Sequence, residues 1–191
     1  MNESQIKEKL RQTTLLRSGG LVIEELPICG HAARADFAVI DMSISGFEIK
    51  SERDTLRRLE NQILHYDKVF EYSWLVVAAQ HFQEAKQIVP WHWGLMTVPG
   101  KKDLGLEICR EPTRNAEISS NAILEFLWTN ELIEILVENN INGFGQSWGR
   151  QKLRCLIADE LETIDVVEAT LSRMAARRRW RVASQRVSCG G

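Results

Sequence analysis

The chain has 191 residues, of which 44% are hydrophobic, and a formal net charge of −2 at pH 7. This composition favours a globular α/β domain with an appendage and excludes a uniformly basic coat for nucleic acid. No run reaches the roughly 18 apolar residues of a membrane span and the N-terminus is too polar for a secretory signal, so we expect a cytoplasmic protein with no membrane partner.

Helices and strands alternate through the first hundred residues. Apolar runs rich in β-branched and aromatic residues predict strands, and the segments between them predict helices. In chain order the predicted elements are helix 4–16, strand 21–26, strand 34–40, strand 44–50, a helix from Ser51 or Asp54 to about Phe70, strand 74–79, helix 82–89 and strand 94–98. Hairpin strands first and crossover helices later predict an α/β fold with a mixed central sheet flanked by helices.

From about residue 118 the pattern changes to helices alone. One helix is predicted over 119–137, and the Asn- and Gly-rich stretch 139–149 ends it. A second helix begins near 147–150 and carries an apolar stripe as far as Met174. We therefore expect a core at 1–112, a C-terminal helical appendage at 113–180 and a flexible basic tail at 181–191.

Three charged residues interrupt the second and third predicted strands. Glu48 and Lys50 alternate with Phe47 and Ile49, so the two charged side chains lie on one face of their strand. A tight turn between the strands would form a hairpin and bring Asp36 opposite Glu48 within about one residue. The pattern predicts two carboxylates and one amine close together, although a solvated surface hairpin shows the same alternation.

These side chains suit the hydrolysis of a phosphodiester. Mg²⁺ or Mn²⁺, held by Asp36, Glu48 and the backbone carbonyl of Ile49, would neutralise developing negative charge. Lys50 would orient or help to deprotonate the attacking water. Charges among apolar neighbours are costly unless they are paired or bind metal, which favours a site over a surface hairpin.

The next predicted helix carries polar residues on one face. Arg58, Gln62 and Tyr66 recur every four residues and lie beside an apolar stripe. A guanidinium, an amide and a phenol at this place would orient the site and hold a phosphate, whereas the alternative is an exposed polar face.

The combination of Asp36, Glu48-x-Lys50 and Gln62-x-x-x-Tyr66 resembles the PD-(D/E)XK nuclease superfamily, and its last element resembles the RecB-type branch. The sequence of roughly residues 20–98 is also similar to a family of small uncharacterised bacterial and phage proteins placed in that superfamily. The resemblance implies a restriction-endonuclease-like core with Asp36 and Glu48 as metal ligands and Lys50 as the catalytic lysine.

Two positions depart from the superfamily pattern. Ala35 stands where the superfamily name has proline, a residue that only shapes the strand. Many members have a further metal ligand that precedes the first aspartate of the motif, and this sequence has no clear counterpart before Asp36. Glu25 is the best candidate for this further metal ligand, with Glu24 and His31 behind it.

The end of the chain is rich in arginine. Arg177, Arg178 and Arg179 belong to a basic run that would contact nucleic-acid phosphates together with Arg34 and Arg58, and a solvated tail is the alternative. The segment from Leu127 to Leu153 resembles the helix-turn-helix of the SAP family, a small DNA-binding module. A helical hairpin that packs on the core or forms a homodimer has the same apolar spacing.

The residues together predict a magnesium-dependent nuclease that hydrolyses phosphodiester bonds, and DNA is the expected substrate. The alternative is a non-catalytic nucleic-acid-binding or regulatory interaction protein of a phage or defence system that retains the nuclease fold. An intact set of Asp36, Glu48 and Lys50 favours the enzyme, because a binding module has less reason to keep buried charges.

Overall fold

The structure is a computed structural model that describes residues 2–18, 20–98, 105–145 and 147–177, with the backbone alone at 14–18. The chain divides into two compact units, Met1–Ile118 and Ser119–Gly191. In the described part of the chain, no helix is both long and apolar enough to cross a membrane.

The described residues of the first unit form a mixed sheet of six strands in the order β1-β2-β3-β4-β5-β6. The strands β1, β2 and β3 are antiparallel neighbours, β3, β4 and β5 run parallel, and β6 is antiparallel to β5. The strand bounds are Leu21–Ile28 (β1), Ala33–Ile40 (β2), Ile44–Lys50 (β3), Tyr72–Ala78 (β4), Gly94–Val98 (β5) and Glu107–Arg110 (β6). The predicted mixed sheet is confirmed.

The α-helices in the described part of this unit are α1 (Glu3–Ser18), α2 (Leu59–Tyr66) and α3 (Phe82–Ile88). Ile6 and Leu10 of α1 are fully buried in a cluster that includes Phe47 and Ile49 of β3. Tyr66 of α2 instead contacts Glu48, which points to the opposite face of β3 because side chains alternate along a strand. The sheet is therefore flanked by helices on both faces.

The second unit is helical. Its helices are α4 (Ser120–Ile123), α5 (Thr129–Glu138), α6 (Arg150–Glu160) and α7 (Thr163–Ala176), with a 3₁₀ turn at Leu124–Phe126. Each of the three long helices buries apolar side chains at helical spacing, for example Leu132, Ile135 and Leu136 of α5. These side chains form the core of the unit.

The hairpin between β2 and β3 forms as the sequence predicts. The amide of Asp41 donates to the carbonyl of Ser43 at 3.1 Å, and the amide of Ser43 donates to the Asp41 carboxylate at 2.9 Å. This short connection favours an antiparallel pair with one register, because short loops leave little freedom for strands to slip.

The helix after β3 begins later than predicted. It was expected from Ser51 or Asp54, whereas α2 begins at Leu59. The Asp54 carboxylate accepts hydrogen bonds from the amide and the hydroxyl of Ser51 at 2.7 and 2.5 Å. Asp54 therefore closes a turn before the helix instead of capping it.

Prediction also missed β6 and joined helices that are separate. β6 has only four residues and carries charge at both ends, so it has little apolar signal. The helix predicted over 119–137 is divided before Thr129, because the Glu131 carboxylate caps the amide of Trp128 at 2.7 Å. The helix predicted from 147–150 to Met174 is divided between α6 and α7.

Candidate functional site

Asp36 and Glu48 face each other across the β2–β3 hairpin. Phe37 pairs with Phe47 in the ladder, so the next positions outward are Asp36 and Glu48. One oxygen of Asp36 accepts the amide hydrogen of Ile49 at 2.7 Å. The predicted juxtaposition of two carboxylates is therefore confirmed, and the hairpin register produces it.

Glu48 is the centre of a buried hydrogen-bond network. Its side chain is 3% exposed. Oε1 accepts from Lys50 Nζ at 2.6 Å and from Gln62 Nε2 at 2.5 Å, and Oε2 accepts from the Tyr66 hydroxyl at 2.8 Å. The residues predicted from β3 and from one face of α2 are thus brought together, since three donors surround one carboxylate.

Lys50 is held inside this network. Its ammonium donates to Glu48 and, at 2.9 Å, to the side-chain oxygen of Gln62, and its side chain is 6% exposed. Two of the three ammonium hydrogens are therefore bound to protein atoms. The amine that was expected to act on a water molecule serves here as the counter-ion of Glu48.

Burial changes the acidity of two groups in the site. Burial, and then the charge of Glu48, raise the pKa of Asp36 to about 7. The pKa of Tyr66 is also raised, first by burial and then by the charge of Glu48, so its hydroxyl stays protonated and donates. Asp36 is the acid of this group whose charge changes near neutral pH.

Helix α1 adds two residues that were not predicted from the sequence, Glu3 and Lys7. The ammonium of Lys7 contacts the carboxylates of Glu25 and, at 2.7 Å, Glu3, and lies 3.9 Å from Asp36. Carboxylate oxygens of Glu3, Glu25 and Asp36 all lie within 4.8 Å of one another. Glu3 and Lys7 are four residues apart and so share a helix face, but that spacing alone does not connect them to a distant strand.

Glu25 reaches this cluster through an unusual backbone conformation. Its φ is +54°, in the left-handed region that side-chain-bearing residues rarely adopt. One of its oxygens contacts Lys7, and the other is 2.6 Å from Arg34 Nε. The upstream acid proposed from the sequence therefore lies beside Asp36, between two basic side chains.

A cavity of about 500 Å³ opens over these groups. Its polar lining includes Glu3, Asp36, Glu48, Lys50 and Gln62 together with Asp54 and Asn61, and its basic lining adds His31, Arg34 and Arg58. Acidic groups and arginines therefore line one cavity, an arrangement that suits an anionic ligand accompanied by a cation.

The arginines at the end of the chain have a different position. Arg177, which we expected to contact nucleic acid, donates from Nε to Glu131 at 2.8 Å and also contacts it through Nη2. Its guanidinium carbon lies 4.2 Å from the centre of the Trp128 ring. The prediction that Arg177 contacts nucleic acid is therefore wrong, because its side chain is 6% exposed and binds Glu131 inside the second unit. Arg178 and Arg179 lie outside the described residues.

Comparison with known proteins places this sequence in a protein family. The sequence matches bacteriophage P4 protein cII over residues 2–186. The chain belongs to the phage P4 protein cII family. Within the cII family, Protein cII of Enterobacteria phage P4 is 26% identical over 125 residues, which are 65% of this chain and 47% of that relative. The match thus spans about half the length of the relative. No solved structure matches this cII-family chain.

Family membership corrects the predicted function. We expected a metal-dependent DNA nuclease, but the family and the relative are both named as a phage protein cII, and neither is named as a nuclease or hydrolase. The nuclease prediction is therefore wrong, and no comparison shows the PD-(D/E)XK superfamily. The regulatory alternative agrees better with a cII-family chain.

Proposed function

We propose that this chain is a regulatory protein of a phage or defence system that binds nucleic acid at the cavity of the first unit without cleaving it. The observation that carries the proposal is the closed network in which Lys50 and Gln62 bind Glu48 at the base of a cavity with arginines in its lining. Membership in the protein cII family supports the phage setting. In this proposal the mixed sheet is a restriction-endonuclease-like core that retains the site for binding.

The hydrogen bonds of Glu48 support binding over hydrolysis. A carboxylate has about four lone-pair positions, and three side-chain donors use three of those of Glu48. For direct metal coordination these donors leave about one lone-pair position of Glu48, and for a water they leave one ammonium hydrogen of Lys50. A binding site keeps the network, since the same bonds hold the cavity wall in one geometry.

Arg34 and Arg58 supply the expected contacts to phosphate. Both line the cavity, and the Arg34 side chain is 65% exposed. A guanidinium presents several N–H donors in a planar fork and stays charged at neutral pH, which suits the oxygens of a phosphate group. We propose that the two arginines bind neighbouring phosphates of one strand.

The acidic side of the cavity would repel a phosphate unless a cation lies between them. The oxygen donors of Asp36, Glu25 and Glu3 are of the kind that Mg²⁺ or Mn²⁺ prefers, and in the structure they are paired with Lys7 and, at Glu25, also with Arg34. We propose these three residues as the holders of such an ion, which keeps Asp36 and Glu25 of the predicted set of Asp36, Glu48, Ile49 and Glu25 and adds Glu3. When bound, the ion would supply positive charge that bridges carboxylates and phosphate.

The homodimer predicted through the C-terminal helices stays a prediction. Trp128, Val137 and Ile164 of the second unit are 51%, 62% and 52% exposed. Exposed apolar side chains are common on monomers, so they do not decide the matter. Light scattering coupled to size-exclusion chromatography of the full chain measures the oligomeric state directly.

A binding experiment tests the proposed function. Fluorescence anisotropy would measure the affinity of the full chain for single-stranded DNA, duplex DNA and RNA over a series of salt concentrations with Mg²⁺. We expect the double variant R34Q/R58Q to weaken binding and to reduce the slope of log K against log salt by about 1 for each phosphate that the variant no longer binds. The matched control is R53Q/R57Q, which removes the same charge from exposed positions that do not line this cavity.

Two results would contradict the proposal. One is equal weakening by both double variants, since that would indicate general electrostatic attraction and no site at the cavity. The other is cleavage of any of these nucleic acids in Mg²⁺ or Mn²⁺ that disappears in Lys50→Ala. Intact substrate on a denaturing gel, together with binding that depends on Arg34 and Arg58, is the expected outcome.

A further inference from the structure

Arg34 forms an ion pair with Glu25 beside the cavity. Oε2 of Glu25 lies 2.6 Å from Nε of Arg34, and the two side chains are 38% and 65% exposed. Among the described residues, the lining of the cavity includes Arg34 but not Glu25. Glu25 therefore holds a residue of the cavity wall from outside that wall.

The ion pair engages the guanidinium at its inner nitrogen. A guanidinium carries N–H donors at Nε and at both terminal nitrogens, Nη1 and Nη2. Glu25 meets Arg34 at Nε, and the two terminal nitrogens form the planar fork that matches the oxygens of a phosphate. Arg34 can therefore bind a phosphate through this fork while its Nε stays with Glu25.

Glu25 is itself held by helix α1. Its other oxygen contacts the ammonium of Lys7, whose side chain is 13% exposed. Ile6 and Leu10 lie on either side of Lys7 in the helix, and both are 0% exposed and packed in the hydrophobic core of the sheet. Glu25 thus has one partner on a helix fixed by core packing and one partner that is exposed at the cavity.

The backbone of Glu25 shows that its side-chain contacts matter. Its left-handed φ of +54° is strained for a glutamate, and such strain persists only where surrounding contacts compensate for it. Contacts of its two oxygens with Lys7 and Arg34 are the compensating ones seen here. Glycine adopts this backbone conformation without strain, so Glu25→Gly removes the carboxylate and suits the fold.

We propose that Glu25 is a positioning residue, which holds the guanidinium of Arg34 in the orientation that binds a nucleic-acid phosphate at the cavity. An arginine side chain has several rotatable bonds, and ordering it on binding costs free energy unless it is already ordered. Glu25 orders Arg34 in the free protein. The inference rests on the proposed function and adds the residue that orients one of its two phosphate contacts.

Removal of the Glu25 charge separates positioning from simple electrostatics, because the two predict changes of opposite sign. If charge alone mattered, one negative charge fewer near a phosphate would strengthen binding. We expect Glu25→Gln instead to weaken binding by about two- to tenfold. Fluorescence anisotropy in Mg²⁺ measures this with single-stranded DNA, duplex DNA and RNA, and the comparison uses the probe that wild type binds most tightly.

Glu24→Gln is the matched control for this charge. Glu24 is the neighbouring residue on β1, its side chain is 39% exposed, and it pairs with Arg11 at 2.6 Å. The variant removes the same charge from the same strand without touching Arg34, so it should bind nucleic acid no more weakly than wild type.

A double-mutant cycle tests whether Glu25 acts through Arg34. We expect Glu25→Gln to cause no further weakening in the R34Q background, since the side chain that it orients is gone. In the R58Q background, where Arg34 remains, the weakening should persist. If Glu25 acted only as a holder of the proposed cation, both backgrounds would show the loss.

NMR of the free protein measures the order of Arg34 without nucleic acid. The ¹⁵N order parameter of its Nε–H group should exceed that of Arg57, an exposed arginine. It should fall in Glu25→Gln, fall at least as far in Glu25→Gly and stay high in Glu24→Gln. Backbone amide signals of the sheet should keep their dispersion in all three variants, which establishes that they are folded.

The inference is overturned if Glu25→Gln and Glu25→Gly both bind nucleic acid as tightly as wild type, or if Glu25→Gln weakens R34Q as much as it weakens wild type. It is also overturned if the order of Arg34 is the same in wild type and in both Glu25 variants. Failure of the proposed function is distinct, because it appears as equal weakening by R34Q/R58Q and R53Q/R57Q, whereas the order of Arg34 is measured without nucleic acid.

Discussion

The two units each bury a glutamate beside a basic residue, but they use the pair differently. Glu131 of the second unit receives two hydrogen bonds from Arg177 and one from the amide of Trp128. Glu48 of the first unit accepts one hydrogen bond from each of three side chains. It lines a cavity whose wall also contains Asp36 and further charged residues. The buried pair of the second unit joins two helix ends, whereas a network at the wall of a charged cavity can also shape a binding site.

The largest expected effect concerns the pair of the second unit. Glu131→Ala leaves the guanidinium of Arg177 buried without its carboxylate, so we expect the free energy of unfolding of that unit to fall by about 3–5 kcal/mol. Urea unfolding followed by NMR amide signals of α5 and α7 measures the change. Glu134→Ala, at a position on the same helix that is 54% exposed, is the control and should change stability by less than about 0.5 kcal/mol. Equal losses from the two variants would mean that the pair has no special role.

A smaller effect is expected in the network of the first unit. Tyr66→Phe removes one donor to Glu48 and to the carbonyl of Phe47, while Lys50 and Gln62 remain. Loss of one hydrogen bond to a buried charged group costs about 1–3 kcal/mol, measured by urea unfolding of the first unit. Tyr72→Phe, a partly exposed tyrosine, is the matched control. If Tyr66→Phe lowered the free energy of unfolding as much as Glu131→Ala does, the network around Glu48 would be no more tolerant of losing one partner than the Glu131–Arg177 pair.

The smallest expected effect is a change of folding stability with pH, and its sign differs between the two units. Burial, followed by the charge of Glu48, raises the pKa of Asp36 from 3.8 to about 7, so the folded first unit holds a proton that the unfolded chain releases. Its stability should therefore fall as pH rises through this window, by about 1 kcal/mol between pH 6 and pH 8. Urea midpoints of the first unit at the two pH values measure this change, and Asp36→Asn should abolish it.

The second unit should respond in the opposite direction and at lower pH. Burial tends to raise the pKa of Glu131, but the hydrogen bond and charge of Arg177 outweigh it and hold that pKa below its ordinary value. The stabilising contribution of Glu131 is therefore present near neutral pH and is lost only as pH falls into the acidic range. Stability of the second unit that falls between pH 6 and pH 8 would contradict this assignment.

The sequence was informative where contacts are local. Alternation along β2 and β3 and a short turn were enough to predict that Asp36 faces Glu48, and four-residue spacing was enough to align Gln62 and Tyr66. These features depend on strand and helix periods, which are the same in every fold. The start of α2 was less predictable, because Asp54 closes a turn as readily as it caps a helix.

Long-range contacts were beyond prediction for a physical reason. Lys7 reaches Asp36 only because apolar side chains of α1 pack on the sheet, and nothing in the local pattern of either residue indicates that pairing. The pairing of Arg177 with Glu131 likewise joins residues 46 positions apart. Function was harder still, since Asp36, Glu48 and Lys50 are compatible with catalysis in sequence, whereas their use depends on which hydrogen bonds are already made.

The outer strands of the sheet have a consequence for self-association. β1 forms one edge, contains Pro27, which lacks an amide donor, and is distorted at Glu25. β6 forms the other edge with only four residues and with charge at Glu107 and Arg110. A broken donor row and a short charged strand are both poor templates for another strand. Neither of these two edges, as the described residues form them, therefore suits extension of the sheet by a second copy of the chain.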